Sequence, residues 1–341
     1  MSKINFNVAV IGCGEIADFH LNGVLAKEEC TLYAICDSAT DDRLEKRQEK
    51  YGAQIAVADY RELVNDPNVD IAIIATPDNT HLEMAAAFMR AGKDVLLEKP
   101  MALTLEECEE MLRVEKQTGR RLMVGQVCRY NNNFVQAKKL VDEGRIGELV
   151  FVESEYAHNY AISPGYANWR VTPEREGMIG GGCHAVDLLR WIAGDPTEVT
   201  AYANHKYLTD WPVNDTTIAI YKFPNNVIGK VFCSIGVKRN YTMRTCLYGT
   251  KGTIIFDSRT TEMQLFECDE NGKGYSKPQI LPCTPKGHNM EAEISDFVDA
   301  ILEGRPNPIS SMEGASTVAV CRATVESAKT GETVKIRYPQ I

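Results

Sequence analysis

Six residues near the start of the chain, Gly12-Cys13-Gly14-Glu15-Ile16-Ala17, have the types and spacing of a phosphate-binding turn. They follow the strand-like run NVAVIG and open a helix-like stretch. In such a turn the first glycine permits the sharp reversal and the second lets backbone approach a pyrophosphate. The small third residue, here Ala17, lets helix pack on strand. The helix N-terminus then offers free N–H groups and a partial positive charge. Asp37, followed by Ser38, ends the next strand-like run, YAICD. A carboxylate there accepts hydrogen bonds from both adenosine ribose hydroxyls and repels a 2′-phosphate, so loop and acid together point to NAD rather than NADP. The plainer alternative is that Asp37 only caps the loop behind it.

Two further motifs close later strand-like runs, where a doubly wound sheet binds ligands. Thr76-Pro77-Asp78-Asn79-Thr80-His81 follows IAIIA, and Glu98-Lys99-Pro100 follows DVLL. Oxidising a secondary alcohol needs an acceptor for the O–H proton while hydride leaves the carbon. A lysine serves only if desolvation or a nearby cation lowers its pKa. Lys99, between a buried strand and a proline, is placed for that. The alternative is a strand-end salt bridge with Glu98. His184 opens the amphipathic run HAVDLLRWIAG. The helix dipole disfavours imidazolium there, which leaves a neutral ring able to accept a proton; the alternative is a structural histidine. Asp187 lies one turn on, within reach of His184 or of a substrate.

These residues need a scaffold, and the pattern of the chain supplies one. Through residue 125, strand-like runs (7–12, 31–37, 71–76, 94–98, 121–125) alternate with helical ones (15–26, 41–51, 60–65, 81–91, 104–118). Continuous apolar strands mean burial on both faces, hence an α/β Rossmann domain with a doubly wound parallel sheet over residues 1–125. From about residue 148, runs such as EVTAYANHKY and TTIAIYKF alternate apolar and polar residues between turn signals. This predicts an α+β domain over 126–341, with a large, open-faced, mainly antiparallel sheet. Helical runs at 184–193, 289–302 and 314–329 should cover it, and the last residues are free to return toward the first domain.

At 341 residues the chain suits two domains. A net charge of −10 and a pI near 5.3 argue against a nucleic-acid partner. No run approaches the roughly 18 apolar residues of a membrane span, and the N-terminus has no signal-peptide pattern. The eleven cysteines have no Cys-x-x-Cys pair and no metal spacing. They read as reduced, buried thiols of a cytoplasmic protein, and no metal is expected.

In combination and order, G-x-G-x-x-A, T-P-x-x-x-H, E-K-P and G-x-H-x-x-D resemble the glucose–fructose oxidoreductase / inositol dehydrogenase / rhizopine catabolism (Gfo/Idh/MocA) family. The resemblance covers essentially the whole chain. It implies NAD as cofactor, held by Gly12, Cys13, Gly14, Glu15, Ile16, Asp37, Ser38, Thr76, Pro77, Asn79, His81, Glu98 and Lys99. It implies that Lys99 lies near nicotinamide and substrate hydroxyl, and that His184 is a catalytic acid/base or substrate ligand. It also implies a homodimer or homotetramer that buries the open sheet face. Many relatives carry an aspartate four residues before the histidine; here that position is Gly180, within Gly180-Gly181-Gly182. His184 is then expected to lack the pKa elevation an adjacent carboxylate gives, and the three glycines to leave room for a bulkier substrate or a water.

Further substrate-binding candidates are Arg129 and Tyr130, where the family has an arginine–aromatic pair, and Tyr156 and His158 (with Tyr160) after the first sheet strand. Trp169, with Arg170, ends the loop SPGYANWR, which could stack on a sugar ring. The reaction expected is NAD-dependent oxidoreduction of a secondary hydroxyl or keto group of a sugar, glycoside or inositol. The alternatives are an NAD-dependent glycoside hydrolase that oxidises its sugar transiently, and a non-catalytic NAD-bound sensor, which would not need both Lys99 and His184.

Overall fold

The apolar run Ile71-Ala72-Ile73-Ile74 is a strand whose residues are all 2% exposed or less, buried on both faces. It is the centre of a six-stranded parallel sheet made of β1 (Phe6–Ile11), β2 (Cys30–Cys36), β3 (Ile55–Val57), β4 (Ile71–Ile74), β5 (Asp94–Glu98) and β6 (Leu122–Gly125). The strand order is β3-β2-β1-β4-β5-β6. Helices α1 (Ala17–Ala26), α2 (Arg43–Tyr51), α3 (Tyr60–Val64), α4 (His81–Arg90) and α5 (Leu105–Thr118) connect the strands. The start of α5 shows why the chain turns helical where it does. Thr104 Oγ1 accepts the Glu107 N–H while the Glu107 carboxylate accepts the Thr104 N–H, a reciprocal capping box.

The computed structural model describes residues 5–39, 41–162, 169–275 and 277–341, and they form two units. The first is Met1–Val127 with Asn289–Val318 and Pro339–Ile341; the second is Cys128–His288 with Ala319–Tyr338. The helix Met290–Glu303, expected to cover the antiparallel sheet, belongs instead to the first unit and packs on α1. The reason is steric. A Cβ on Gly23 of α1 would stand 2.6 Å from Ile294 Cδ1, so the glycine opens a groove for the apolar stripe Ile294, Phe297 and Val298. The edge strand β3 was not expected from the sequence, because three residues are too few to show a period.

In the second unit, α6 (Asn132–Asp142) precedes a nine-stranded sheet. Its strands are β7 (Leu149–Ala157), β8 (Glu198–Asn204), β9 (Thr216–Lys222), β10 (Ile228–Ser234), β11 (Arg244–Gly249), β12 (Gly252–Asp257), β13 (Glu262–Glu267), β14 (Gln279–Pro282) and β15 (Val334–Lys335). Their order is β14-β13-β12-β11-β7-β10-β9-β8-β15. β7 and β10 pair in parallel and the remaining pairs are antiparallel. Strand β9 carries the expected alternation: Thr217, Ala219 and Tyr221 face inward, and Ile218, Ile220 and Lys222 face outward. The helix Cys183–Ala193 covers the inner face against β7 and β10, and Tyr221 Oη lies 2.8 Å from Thr324 Oγ1 of the helix Ser311–Thr330.

Candidate active site

The turn after β1 is built for close approach. Gly12 has φ +99°, and a Cβ there would meet the Ala75 carbonyl oxygen at 2.5 Å, so glycine is required. A Cβ on Gly14 would have nothing within 4 Å, which leaves open space against the backbone. Helix α1 starts at Ala17, fully buried against the sheet. Asp37, just past β2, accepts the N–H groups of Cys13 at 2.6 Å and Ala39 at 2.7 Å. Arg47 of α2 donates to the Gly14 carbonyl at 2.9 Å. Open backbone at a helix N-terminus, with an acid beside it, fits the pyrophosphate and ribose of a dinucleotide. Glu15 and Ser38 are exposed beside this loop, and Ile16 is half-buried.

Past β4, the Thr80 hydroxyl donates to the Pro77 carbonyl, so the Thr76 hydroxyl is the donor in their 2.7 Å contact. Asn79 is exposed, and Pro77 is half-buried. His81 is 1% exposed, with Nδ1 2.9 Å from the Pro100 carbonyl oxygen and Nε2 3.1 Å from that of Thr76. Burial pushes its pKa down. The neutral ring donates to one carbonyl at a time, and the shorter contact to Pro100 is the stronger. His81 thus ties the Thr-Pro loop to the Glu-Lys-Pro loop.

At the end of β5, Glu98 turns inward and is 7% exposed. Its Oε1 accepts from His20 Nε2 at 2.9 Å, and its Oε2 accepts the Lys99 N–H at 3.1 Å. Lys99 itself is half-buried. Glu293, from the helix Met290–Glu303, is fully buried, and neither carboxyl oxygen has a hydrogen-bond partner among the described residues. It lies over Gly125, whose Cβ would stand 3.5 Å from its Oε2. Burial pushes the Glu293 pKa well above the usual carboxylate range; Glu98 adds to the rise and Lys99 opposes it.

In the second unit, His184 is the second residue of the helix Cys183–Ala193 and is 2% exposed. Its Nδ1 lies 3.4 Å from Cys128 Sγ. The Tyr156 ring stacks on it with centroids 5.9 Å apart and an interplanar angle of 24°, and the His288 ring lies 5.7 Å away. Tyr156 Oη lies 3.1 Å from His158 Nδ1 and 3.0 Å from Tyr160 Oη, so Tyr156, His158 and Tyr160 form one aromatic cluster with His184. Arg129 and Asp187 are brought together: Nε and Nη2 of Arg129 donate to the two Asp187 oxygens at 2.8 Å each. Tyr130, next to Arg129, is half-buried.

The expected space at the three glycines is filled. A Cβ on Gly180 would meet Arg170 Nη1 at 3.1 Å, one on Gly181 would meet Tyr156 Cε1 at 2.3 Å, and one on Gly182 would meet Met178 Sδ at 2.7 Å. The glycines serve close packing of the helix start, and Arg170 occupies the position beside Gly180. Residues 163–168 of the expected stacking loop lie outside the described residues. Trp169 is half-buried, with the Arg170 and Arg175 guanidinium carbons 4.2 Å and 5.2 Å from its ring centroid.

Sequence reasoning missed His20, Glu293 and Cys128. The first two carried a signal: each is the polar member of an apolar helical stripe, Ala17-His20-Leu21-Val24 and Met290-Glu293-Ile294-Phe297. Cys128 had only its place next to Arg129.

Residues 6–126 match the family described as oxidoreductase family, NAD-binding Rossmann fold, and residues 134–255 match the GFO/IDH/MocA C-terminal domain. The chain belongs to the Gfo/Idh/MocA family of NAD-binding oxidoreductases. It is similar to the myo-inositol 2-dehydrogenase of Thermotoga maritima, 27% identical over 340 residues that cover 96% of this chain and 98% of the relative. It is also similar to the levoglucosan dehydrogenase of Pseudarthrobacter phenanthrenivorans, 25% identical over 99% of both chains. Among solved structures, levoglucosan dehydrogenase in complex with NADH has a TM-score of 0.89 at 25% identity, covering 99% of this chain and 100% of that one.

Proposed function

We propose that the protein oxidises a secondary hydroxyl of a sugar, glycoside or inositol, or reduces the corresponding ketone, with NAD as the redox partner. One observation within the first unit carries this reading. Lys99 closes β5 at the carboxyl edge of the parallel sheet, the same edge on which the Gly12–Ala17 loop opens after β1. That edge is where a doubly wound sheet holds dinucleotide and substrate. The Gly12–Ala17 loop and Asp37 would hold NAD, which would supply the acceptor for the hydride of the carbinol carbon. Lys99 serves as the base that accepts the hydroxyl proton as the C–O bond becomes a carbonyl, and His184, in the second unit, is a substrate ligand. The named activities of the inositol and levoglucosan dehydrogenases support a polyol or sugar ring as substrate.

The nine-stranded sheet supports a homo-oligomer formed through its outer face. Tyr202, Ile218, Ile220 and Ile228 on β8, β9 and β10 are between 42% and 70% exposed there. A contiguous apolar surface of this kind is covered when two copies meet. The eleven free thiols fit a reducing, cytoplasmic setting.

The test is a panel of polyols, sugars and glycosides with NAD, followed at the NADH absorbance. Net NADH production from a free ring substrate is expected. Glycoside cleavage without net NADH would replace the reading with a hydrolase, and turnover of none would leave a sensor.

A further inference from the structure

The Cys128–His184 contact bears on how the histidine works. Cys128 is 5% exposed and His184 is 2% exposed, so solvent does not compete for the 3.4 Å Sγ–Nδ1 contact. Among the described contacts of the thiol are His184 Nδ1, an acceptor when that nitrogen is bare, and Met243 Sδ at 3.7 Å. A bare imidazole nitrogen is a far better acceptor than a thioether, and the reverse arrangement, Nδ1–H on sulfur with the S–H left to Met243, uses two weak sulfur acceptors, so donation of the S–H to Nδ1 is the better-satisfied arrangement. Moving the proton from sulfur to the ring would create a buried thiolate–imidazolium pair. A free thiol is a weaker acid than imidazolium, and burial penalises both charges. The imidazolium would also stand in the first turn of the helix Cys183–Ala193, at the positive end of its dipole.

Two titratable groups described beside the ring come from other elements. Tyr156 comes from β7 and His288 from the segment ahead of Met290. On the same helix, the charge of Asp187 is matched by the two-point contact with Arg129.

We propose that Cys128 is a positioning residue whose thiol donates to His184 Nδ1 and thereby fixes the ring proton on Nε2. A carboxylate partner would do the opposite, accepting Nδ1–H and leaving Nε2 bare. With the proton on Nε2, His184 is a hydrogen-bond donor to the substrate oxygen rather than a base. It holds and polarises the oxygen, and the substrate proton goes to a separate base. This rests on the reading that His184 meets the substrate, but the tautomer can be measured without it.

The experiment is nitrogen-15 NMR of the full-length protein labelled at histidine, with the His184 resonances assigned by His184→Gln. Neutral His184 is expected to carry its proton on Nε2, with Nδ1 unprotonated. A proton on Nδ1 overturns the proposal. Cys128→Ala should loosen this preference and lower kcat by up to about 100-fold, the cost of misplacing a catalytic group by about 1 Å. Cys128→Ser, which keeps a donor, should restore most of both. Cys128→Asp should move the proton to Nδ1, leave the neutral ring without its Nε2 donor and lower kcat. An unchanged tautomer in both Cys128→Ala and Cys128→Asp also overturns it. If His184→Ala keeps full kcat while the proton sits on Nε2, the substrate reading of His184 fails and the role of Cys128 in setting the tautomer stands.

Discussion

The carboxylate of Asp37 accepts the Cys13 N–H at 2.6 Å, so the acid that follows β2 also holds the loop that follows β1. A 2′-phosphate on the ribose would be placed against this charge. Two like charges a few ångströms apart cost on the order of 1 kcal/mol even when well solvated. NAD should therefore give the higher kcat/KM, by roughly fivefold or more. Asp37→Asn keeps an acceptor for the loop and removes the charge, and should narrow the gap. Equal kcat/KM with NAD and NADP in the unaltered protein would refute the assignment.

Lys99→Ala should lower kcat by a factor on the order of 10² or more, the usual worth of a positioned base. Binding of NAD, followed by calorimetric titration, should be largely retained, because the phosphate loop and Asp37 are untouched. A variant that keeps its kcat would remove Lys99 from the chemistry.

The Arg129–Asp187 pair is desolvated, with side chains 7% and 1% exposed. Removing one charge strands the other. Asp187→Asn should cost about 3–5 kcal/mol in urea denaturation, whereas Arg129→Met with Asp187→Leu should recover most of that loss. Wild-type stability in Asp187→Asn would mean that solvent reaches the pair after all.

Glu293 makes stability depend on pH with a definite sign. Its pKa is raised in the folded protein, chiefly by burial, so above the ordinary carboxyl value of 4.5 the folded state holds a proton that the unfolded chain has released. Stability from this group is present below that value and is lost as pH rises, by up to about 1.4 kcal/mol per pH unit while the folded group stays protonated. Glu293→Gln removes the dependence. The Tm of the variant relative to the parent should climb from pH 5 to pH 8, and a difference that is flat or falls over that range would exclude a neutral Glu293.

Ile220→Lys on the outer face of β9 should weaken self-association, read by light scattering at micromolar concentration. An unaltered protein that is already monomeric there would rule out the sheet-face interface.

Most of the first unit was legible because its signals are local. IAIIA can only be a strand buried twice over, and Gly12-x-Gly14-x-x-Ala17 states its backbone requirement in its own residues. The outer alternation of β9 was equally plain. What the chain did not announce were meetings between distant segments. Nothing near Glu98 says that His20 will reach it, and nothing near Asp187 says that Arg129 will contact both its oxygens. The room expected at Gly180–Gly182 was misjudged for the same reason: a glycine run shows that side chains are missing, but not that Arg170, Tyr156 and Met178 arrive to fill the space.

The groove that Gly23 opens on α1 has a consequence for how the protein is made. Its filler, Ile294, is translated some 270 residues later, after every strand of the nine-stranded sheet except β15. During synthesis the nascent nucleotide-binding half therefore presents an apolar furrow to solvent until Ile294 has left the ribosome. A chain cut short after β6 would keep that furrow permanently, and would be a client for chaperones rather than a free-standing domain.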